Sequence, residues 1–260
     1  MKLRILSGVI MLPLLAVVFF GGWVLLAACF AVGMLGVREF YRCFETAGVR
    51  PSYMTANISL LVLYGIGLFA PDNRQFYMFW VFLVMLLSFL YLFRIGDRKL
   101  EDGMVTATGI FYVCFFSFHV VLTDQIDHYG VLIWLIFLSS FGTDIAAYFT
   151  GYFFGRHKLC PDISPKKTVE GSVGGILGSL IICGFFGYLF ARELFIHCLI
   201  IGALGGVLSQ AGDLTASVFK RKLGVKDYGD LIPGHGGVLD RFDSVLFTAP
   251  MVYYYIVLIM

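Results

Sequence analysis

The chain has 260 residues, 59% hydrophobic and 14% charged, with a mean hydropathy of +0.87. A soluble domain carries about 25% charged residues, so this composition excludes an ordinary soluble globular protein and indicates one built for lipid. The net charge of +2 says little alone, and no nucleic-acid partner is expected. The six cysteines form no CxxC pair, which argues against a disulfide framework or a zinc site.

Apolar runs able to cross ~30 Å of hydrocarbon recur along the chain. They are continuous rather than alternating, and backbone in lipid must satisfy its own hydrogen bonds, so they are read as helices. Lys2 and Arg4 before an apolar run, and "LAAC" at 26–29, have the outline of a secretion signal. The apolar stretch exceeds an ordinary signal core and further spans follow, so it is read as the first spanning segments. Nine spans are predicted, at about 5–20, 22–37, 55–70, 76–93, 104–123, 130–152, 172–190, 194–216 and 243–260. Gly21–Gly22 would form a tight hairpin between the first two, and Arg192–Glu193 separates the seventh from the eighth.

With the N-terminus inside, 17 of the 19 basic residues fall in inner segments, and only Arg74 and Arg192 lie outside. That bias fits the positive-inside rule. The expected fold class is therefore all-α: a polytopic membrane helical bundle of about nine transmembrane helices, N-terminus cytoplasmic, multi-pass in the cell membrane, its working side facing the cytoplasm. Pairs of glycines four apart (Gly151/Gly155, Gly174/Gly178, Gly202/Gly206) let helix backbones approach closely, within the chain or across a homodimer contact. Residues 1–130 carry unremarkable loops and read as lipid-facing scaffold. Residues 131–260 concentrate glycine, charge and hydroxyls and read as the half that carries the catalytic site.

Three polar groups stand out in that half. In "SSFGTDIAAYFTGYFFGR" (139–156), Ser140, Asp144 and Tyr148 recur every four residues and share one helix face. A carboxylate inside a span is costly and usually faces a bundle interior or a watery cavity, which favours a functional role over packing alone. In "SPKKTVEGSVGG" (164–175), Lys166, Lys167 and Thr168 precede a glycine-rich helix start, where free N–H groups favour an anion. A basic loop that merely sets topology is the alternative, and no P-loop spacing exists in the chain. The third group joins "SQAGDLTASVFKRK" (209–222) to "KDYGDLIPGHGGVLDRFDS" (226–244). Gln210, Asp213, Ser217 and Lys220/Arg221 follow helical spacing, and Asp240 and Asp243 stand three apart, so they are expected to face one way at the start of the ninth helix.

Carboxylates near basic groups suit Mg²⁺, which takes oxygen ligands and commonly bridges protein carboxylates to substrate phosphates. Asp213, Asp240 and Asp243 are the expected ligands of one cation or two, with Asp144 as a fourth carboxylate. Lys166, Lys167, Lys220, Arg221, Lys226, Arg241 and His235 are expected to hold phosphate oxygens. Pro233, Gly234, Gly236 and Gly237 would let the backbone bend close to a ligand. A surface loop of weak, balanced salt bridges is the competing reading.

Residues 217–243 resemble the signature of the phosphatidate cytidylyltransferases, or CDP-diacylglycerol synthases, in the form S-x-x-K-R-x(4)-K-D-x(4)-[hydrophobic]-P-x-H-G-G-x-x-D-R-x-D. "SPKKTVEGSVGG" and "QAGDLTAS" are similar to two further blocks of that family. The resemblance implies the Mg²⁺-dependent reaction of CTP with phosphatidate to give CDP-diacylglycerol and pyrophosphate, on a membrane-lipid substrate. It implies catalytic parts for Asp213, Lys226, His235, Asp240, Arg241 and Asp243. It implies substrate contacts around Ser164, Lys166, Lys167, Thr168, Glu170, Ser217, Lys220, Arg221, Asp227, Gly236 and Gly237. A CTP-dependent lipid kinase and, less consistently, a transporter are the alternatives.

Overall fold

The computed structural model describes residues 16–231 and 236–260. Most of the predicted first span, and Pro233, Gly234 and His235, lie outside the described residues. Two units are formed: one ends at Gln125 and takes in Lys222–Arg241, the other holds Ile126–Arg221 and Phe242–Met260.

The first unit contains α1 (Gly22–Glu45), α2 (Tyr53–Phe69), α3 (Arg74–Tyr91) and α4 (Leu100–Asp124). Gly21 and Gly22 both have positive φ (58° and 48°), which is the sharp turn expected of two glycines. The first amide of α1, on Gly22, donates to Asp124 Oδ2 at 2.7 Å, so one end of α4 satisfies one end of α1. Ser52 caps α2 by accepting from the Thr55 amide, and Asn73 caps α3 by accepting from the Gln75 amide. Asp102 fastens the start of α4 by accepting from the Arg50 and Lys99 amides. Within α4, Ile110–Phe115 relaxes into π-helix. The core is largely aromatic: Trp80, Phe40, Tyr41 and Phe118 are fully buried. Their polar handles find partners, Tyr41 to the Thr106 carbonyl and the Trp80 indole to that of Ser59, each at 2.7 Å. The last helix of this unit is α8 (Leu239–Phe242), only four residues long and ending one residue into the other unit.

The second unit holds α5 (Ile133–Phe154), α6 (Val169–Phe190), α7 (Phe195–Lys222) and α9 (Val245–Ile259). Its glycines make the helices touch. A Cβ on Gly174 would run into Thr150, and one on Gly178 into Ala146, which places α6 directly on α5. A Cβ on Gly202 would come within 2.8 Å of Cys183 Cβ, and one on Gly206 within 2.9 Å of Ile176 Cα, which places α7 on α6. The glycine spacings in α6 and α7 thus serve packing inside this unit.

Each predicted span from the second to the ninth coincides with one helix. Among the described residues, six helical segments are long and apolar enough to cross a membrane: Gly22–Glu45, Arg74–Tyr91, Leu100–Asp124, Gly130–Phe154, Val169–Phe190 and Arg192–Lys222. Tyr53–Phe69 and Val245–Ile259 are apolar but shorter. The protein is a helical integral membrane protein.

The all-α class holds, and among the described residues one short β-hairpin is added to it. Between α5 and α6, β1 (Lys158–Cys160) pairs antiparallel with β2 (Ser164–Thr168), Lys158 opposite Thr168 and Cys160 opposite Ser164. The turn runs Cys160-Pro161-Asp162-Ile163, closed by Ile163 N–H to the Cys160 carbonyl, with proline at its second position. Proline there sets φ for a tight turn. A basic segment that looks like plain loop is thereby folded into a hairpin.

Candidate active site

In the second unit the hairpin, α5, α6 and α7 surround a cavity of about 560 Å³, within the usual range for a small-molecule site. Asp144, Tyr148 and Tyr152 line it from α5, Lys158 and Lys166–Thr168 from the hairpin, Gly171 and Ser172 from α6, and Gln210 and Asp213 from α7. Asp144 and Tyr148 do share the cavity wall, as their four-residue spacing predicts. Ser140, one turn earlier, is instead buried against the Thr248 hydroxyl at 2.8 Å.

Lys167 and Asp213 form an ion pair at this cavity, each side chain about one-quarter exposed. Ser172 donates to Gln210 Oε1, and Gln210 Nε2 donates back to the Ser172 carbonyl at 3.0 Å, so α6 and α7 hold one another beside Asp213. The Thr168 hydroxyl accepts from the Gly171 amide at 3.1 Å, which makes it the cap of α6 at the cavity rim. Glu170 points elsewhere: its carboxylate accepts from the Arg156 amide (3.0 Å) and His157 amide (3.2 Å) and pairs with His157 Nδ1 (2.6 Å). It ties the hairpin's entry to the start of α6. Ser164 is half-buried in β2, and Arg221 Nε donates to the Ile163 carbonyl at 3.3 Å.

The polar stripe on α7 divides. Gln210 and Asp213 reach the cavity, Ser217 and Lys220 are buried at 9% and 8% exposure, and Arg221 is exposed. Gly212 allows the turn before α9 to come close, since a Cβ on it would lie 2.6 Å from the Asp243 carbonyl. Asp243 occupies that turn and is buried. Its Oδ1 accepts from the Ser244 amide at 2.8 Å, and the Ser244 hydroxyl reaches Asp144 Oδ2 at 3.4 Å. Burial, then the negative charge of Asp213, push the Asp243 carboxyl from its ordinary 3.8 up to about 7; Lys220 opposes this and Asp144 adds to it. Asp144, Asp213 and Asp243 therefore form one electrostatic group.

In the first unit, residues 226–241 hold the other expected site residues. Lys226 and Asp227 are exposed and Arg241 is half-buried. Asp240 lies in α8, where its Oδ2 accepts from the Tyr228 amide (2.8 Å) and the Gly237 amide (2.9 Å). Gly236 has φ +83°, and a Cβ there would meet Asp240 Oδ2 at 2.8 Å. Gly236 thus has a reason within the protein itself, namely to let the loop close on Asp240. Asp240 and Asp243 do not sit on one continuous helix: α8 stops at Phe242, Asp243 and Ser244 form a turn, and α9 starts at Val245. Bonds from aspartate side chains to nearby amides compete with helix here. Among the described residues, no group of three or more His, Cys, Asp or Glu side chains is already drawn together as a metal site.

One residue of this region escapes sequence reading. Glu39 of α1, 8% exposed, accepts from the Val238 amide through Oε1 (2.9 Å) and the Leu239 amide through Oε2 (2.8 Å). The available signal is position: an acidic residue at the polar end of a long apolar helix, on the same face as the buried Gly36, Phe40 and Cys43.

The sequence model of the cytidylyltransferase family matches residues 2–259. The chain is 35% identical to the phosphatidate cytidylyltransferase of Synechocystis sp., covering 99% of this chain and 97% of that one. It is 34% identical to the enzyme of that name from Bacillus subtilis (99% and 98% covered) and 32% to that of Staphylococcus haemolyticus (96% and 97%).

Proposed function

Because the chain belongs to the cytidylyltransferase family, we propose that it is a phosphatidate cytidylyltransferase. It joins CTP and phosphatidate to give CDP-diacylglycerol and pyrophosphate in phospholipid biosynthesis. Its near full-length match to relatives of that name carries the reading. The cavity adds the chemistry: Lys158, Lys166 and Lys167 stand opposite Asp144 and Asp213, beside an aromatic wall on a helix able to span lipid.

A phosphatidate oxygen attacks the α-phosphorus of CTP and pyrophosphate leaves in line. The nucleophile is already ionised at neutral pH, so no side chain need remove a proton. The barrier lies in bringing two polyanions together, which makes positioning and electrostatic stabilisation the main contributions. Lys166 and Lys167 hold phosphate oxygens, and the exposed Arg221 extends the basic surface of the second unit. Lys226, exposed in the first unit, is assigned to phosphate oxygens as well. Asp144, Asp213 and Asp243 fit Mg²⁺: all donors are carboxylate oxygens, and the raised Asp243 marks a cluster in which negative charge outweighs what Lys167 and Lys220 supply. When bound, the ion neutralises charge on the polyphosphate. A second cation, if used, would share these carboxylates. Asp240, which closes its own loop by accepting from the Tyr228 and Gly237 amides, is assigned with Arg241 to the catalytic groups of the first unit.

The proposed topology has nine spans with the N-terminus in the cytoplasm and the cavity opening to the cytoplasmic face of the cell membrane, where CTP is present. Incubating the purified protein with phosphatidate, Mg²⁺ and CTP labelled in the cytidine should give a labelled lipid and release pyrophosphate. Formation of CDP and a newly phosphorylated lipid would instead identify a lipid kinase, and uptake into liposomes without CTP turnover a transporter.

A further inference from the structure

The segment Lys222–Arg241 packs with the N-terminal helices, and Glu39 is where α1 takes hold of it. The two amides that Glu39 accepts, on Val238 and Leu239, are the last before Asp240. They mark the start of the four-residue α8, too short to be stable by itself. A carboxylate offers two acceptor oxygens, and here each takes one amide, with both partners buried. The loop is shaped around that carboxylate. A Cβ on Gly237 would collide with Glu39, and one on Gly229 would lie 2.8 Å from its Oε1. On the far side of the same turn Asp240 accepts from the Gly237 and Tyr228 amides. The backbone between 237 and 239 is therefore gripped from both sides, by Glu39 from α1 and by Asp240 from within.

We propose that Glu39 is a positioning residue for the cytidylyl transfer: it fixes the turn at 237–239 and so aims Asp240 and Arg241. This rests on the function proposed above and gives the N-terminal half a part in it. Nothing about Glu39 requires it to touch substrate. Its effect should fall on turnover rather than on the binding of either substrate, because misplacing catalytic groups by a fraction of an ångström lowers rate strongly.

The test compares the full-length wild type with Glu39→Gln, Glu39→Asp and Tyr41→Phe, all purified in detergent. Glutamine leaves one acceptor oxygen and turns an N–H₂ donor toward an amide that is itself a donor. Aspartate keeps both oxygens on a shorter arm. Tyr41→Phe removes a buried hydrogen bond from the same helix, to Thr106, away from the turn. Glu39→Gln should lower kcat by about 10- to 100-fold, the range expected for losing a hydrogen bond to a charged group, with KM for CTP and phosphatidate changed less than about threefold. Hydrogen exchange should quicken in the peptide containing the Val238 and Leu239 amides. Glu39→Asp should recover part of both effects, and Tyr41→Phe should show neither.

A wild type that makes no CDP-lipid would overturn the functional reading itself. An active wild type with an unchanged Glu39→Gln variant would overturn only the role of Glu39. So would a Tyr41→Phe variant that loses turnover equally, because the effect would then be general loosening of α1. If Glu39→Gln does not fold, Glu39→Asp decides alone: wild-type kcat and exchange in that variant would also remove the role.

Discussion

Asp243 is buried in a turn with the charges of Asp213 and Asp144 acting on it, a combination that disfavours ionisation unless positive charge arrives. Its folded pKa of about 7 lies above the ordinary 3.8. The group's favourable contribution to stability is therefore complete below about pH 4 and is lost as the pH rises through about 7. Asparagine cannot ionise and escapes that loss. Asp243→Asn should melt several degrees higher than wild type at pH 8 with divalent cations chelated, and the difference should vanish near pH 4. The same variant should lose CDP-diacylglycerol formation by about 100-fold or more. A stability gain paired with an activity loss is the pattern of a residue kept for function. Near-normal turnover of this variant at saturating Mg²⁺ would remove Asp243 from the cation site. Asp144, Asp213 and Asp243 were legible in the sequence because a carboxylate is conspicuous in apolar surroundings. Glu39 was not, because it lies among the arginines that end a helix, and its partners are backbone amides 199 and 200 positions away.

Glycine decides how close α5, α6 and α7 come, and hence the width of the cavity they enclose. Gly178→Leu would force a branched side chain into Ala146 of α5. Overpacking of that kind costs about 1–3 kcal/mol, so the melting midpoint should fall by roughly 2–10 °C. Gly65→Leu in α2 should leave it nearly unchanged, since nothing lies within 4 Å of a Cβ there. Equal melting of the two variants in the same detergent would show that the α5–α6 contact does not limit stability. The glycine spacing was readable, but which helix each glycine meets was not: period gives a face, and only the fold gives the neighbour. The hairpin was hidden for another reason. Five residues, "SPKKT", are too few and too polar for an alternating pattern, and their strand character comes from the Pro161 turn and the pairing of Lys158 with Thr168.

Hydropathy alone located the helices from the second span onward, because in lipid the length of an apolar run and the length of a helix answer to the same thickness. Orientation is a separate property, set by where basic residues cannot cross. In the proposed topology, the hairpin lysines, the basic end of α7 and the loops around Arg50 and Arg94 all face the cytoplasm, and only Arg74 and Arg192 face outward. A phosphate-transfer site fed by a cytosolic nucleotide requires that arrangement. It can be tested in intact cells with single cysteines placed in a chain whose six native cysteines are replaced by alanine. Arg74→Cys and Arg192→Cys should react with a membrane-impermeant maleimide added outside, whereas Arg94→Cys and Lys222→Cys should react only after permeabilisation. All four positions are exposed in the protein, so access is governed by the membrane rather than by packing. The reverse labelling pattern would invert the topology and put the cavity on the wrong side for CTP. Labelling of Arg74→Cys alone would mean that the segments between 74 and 192 cross the membrane an odd number of times.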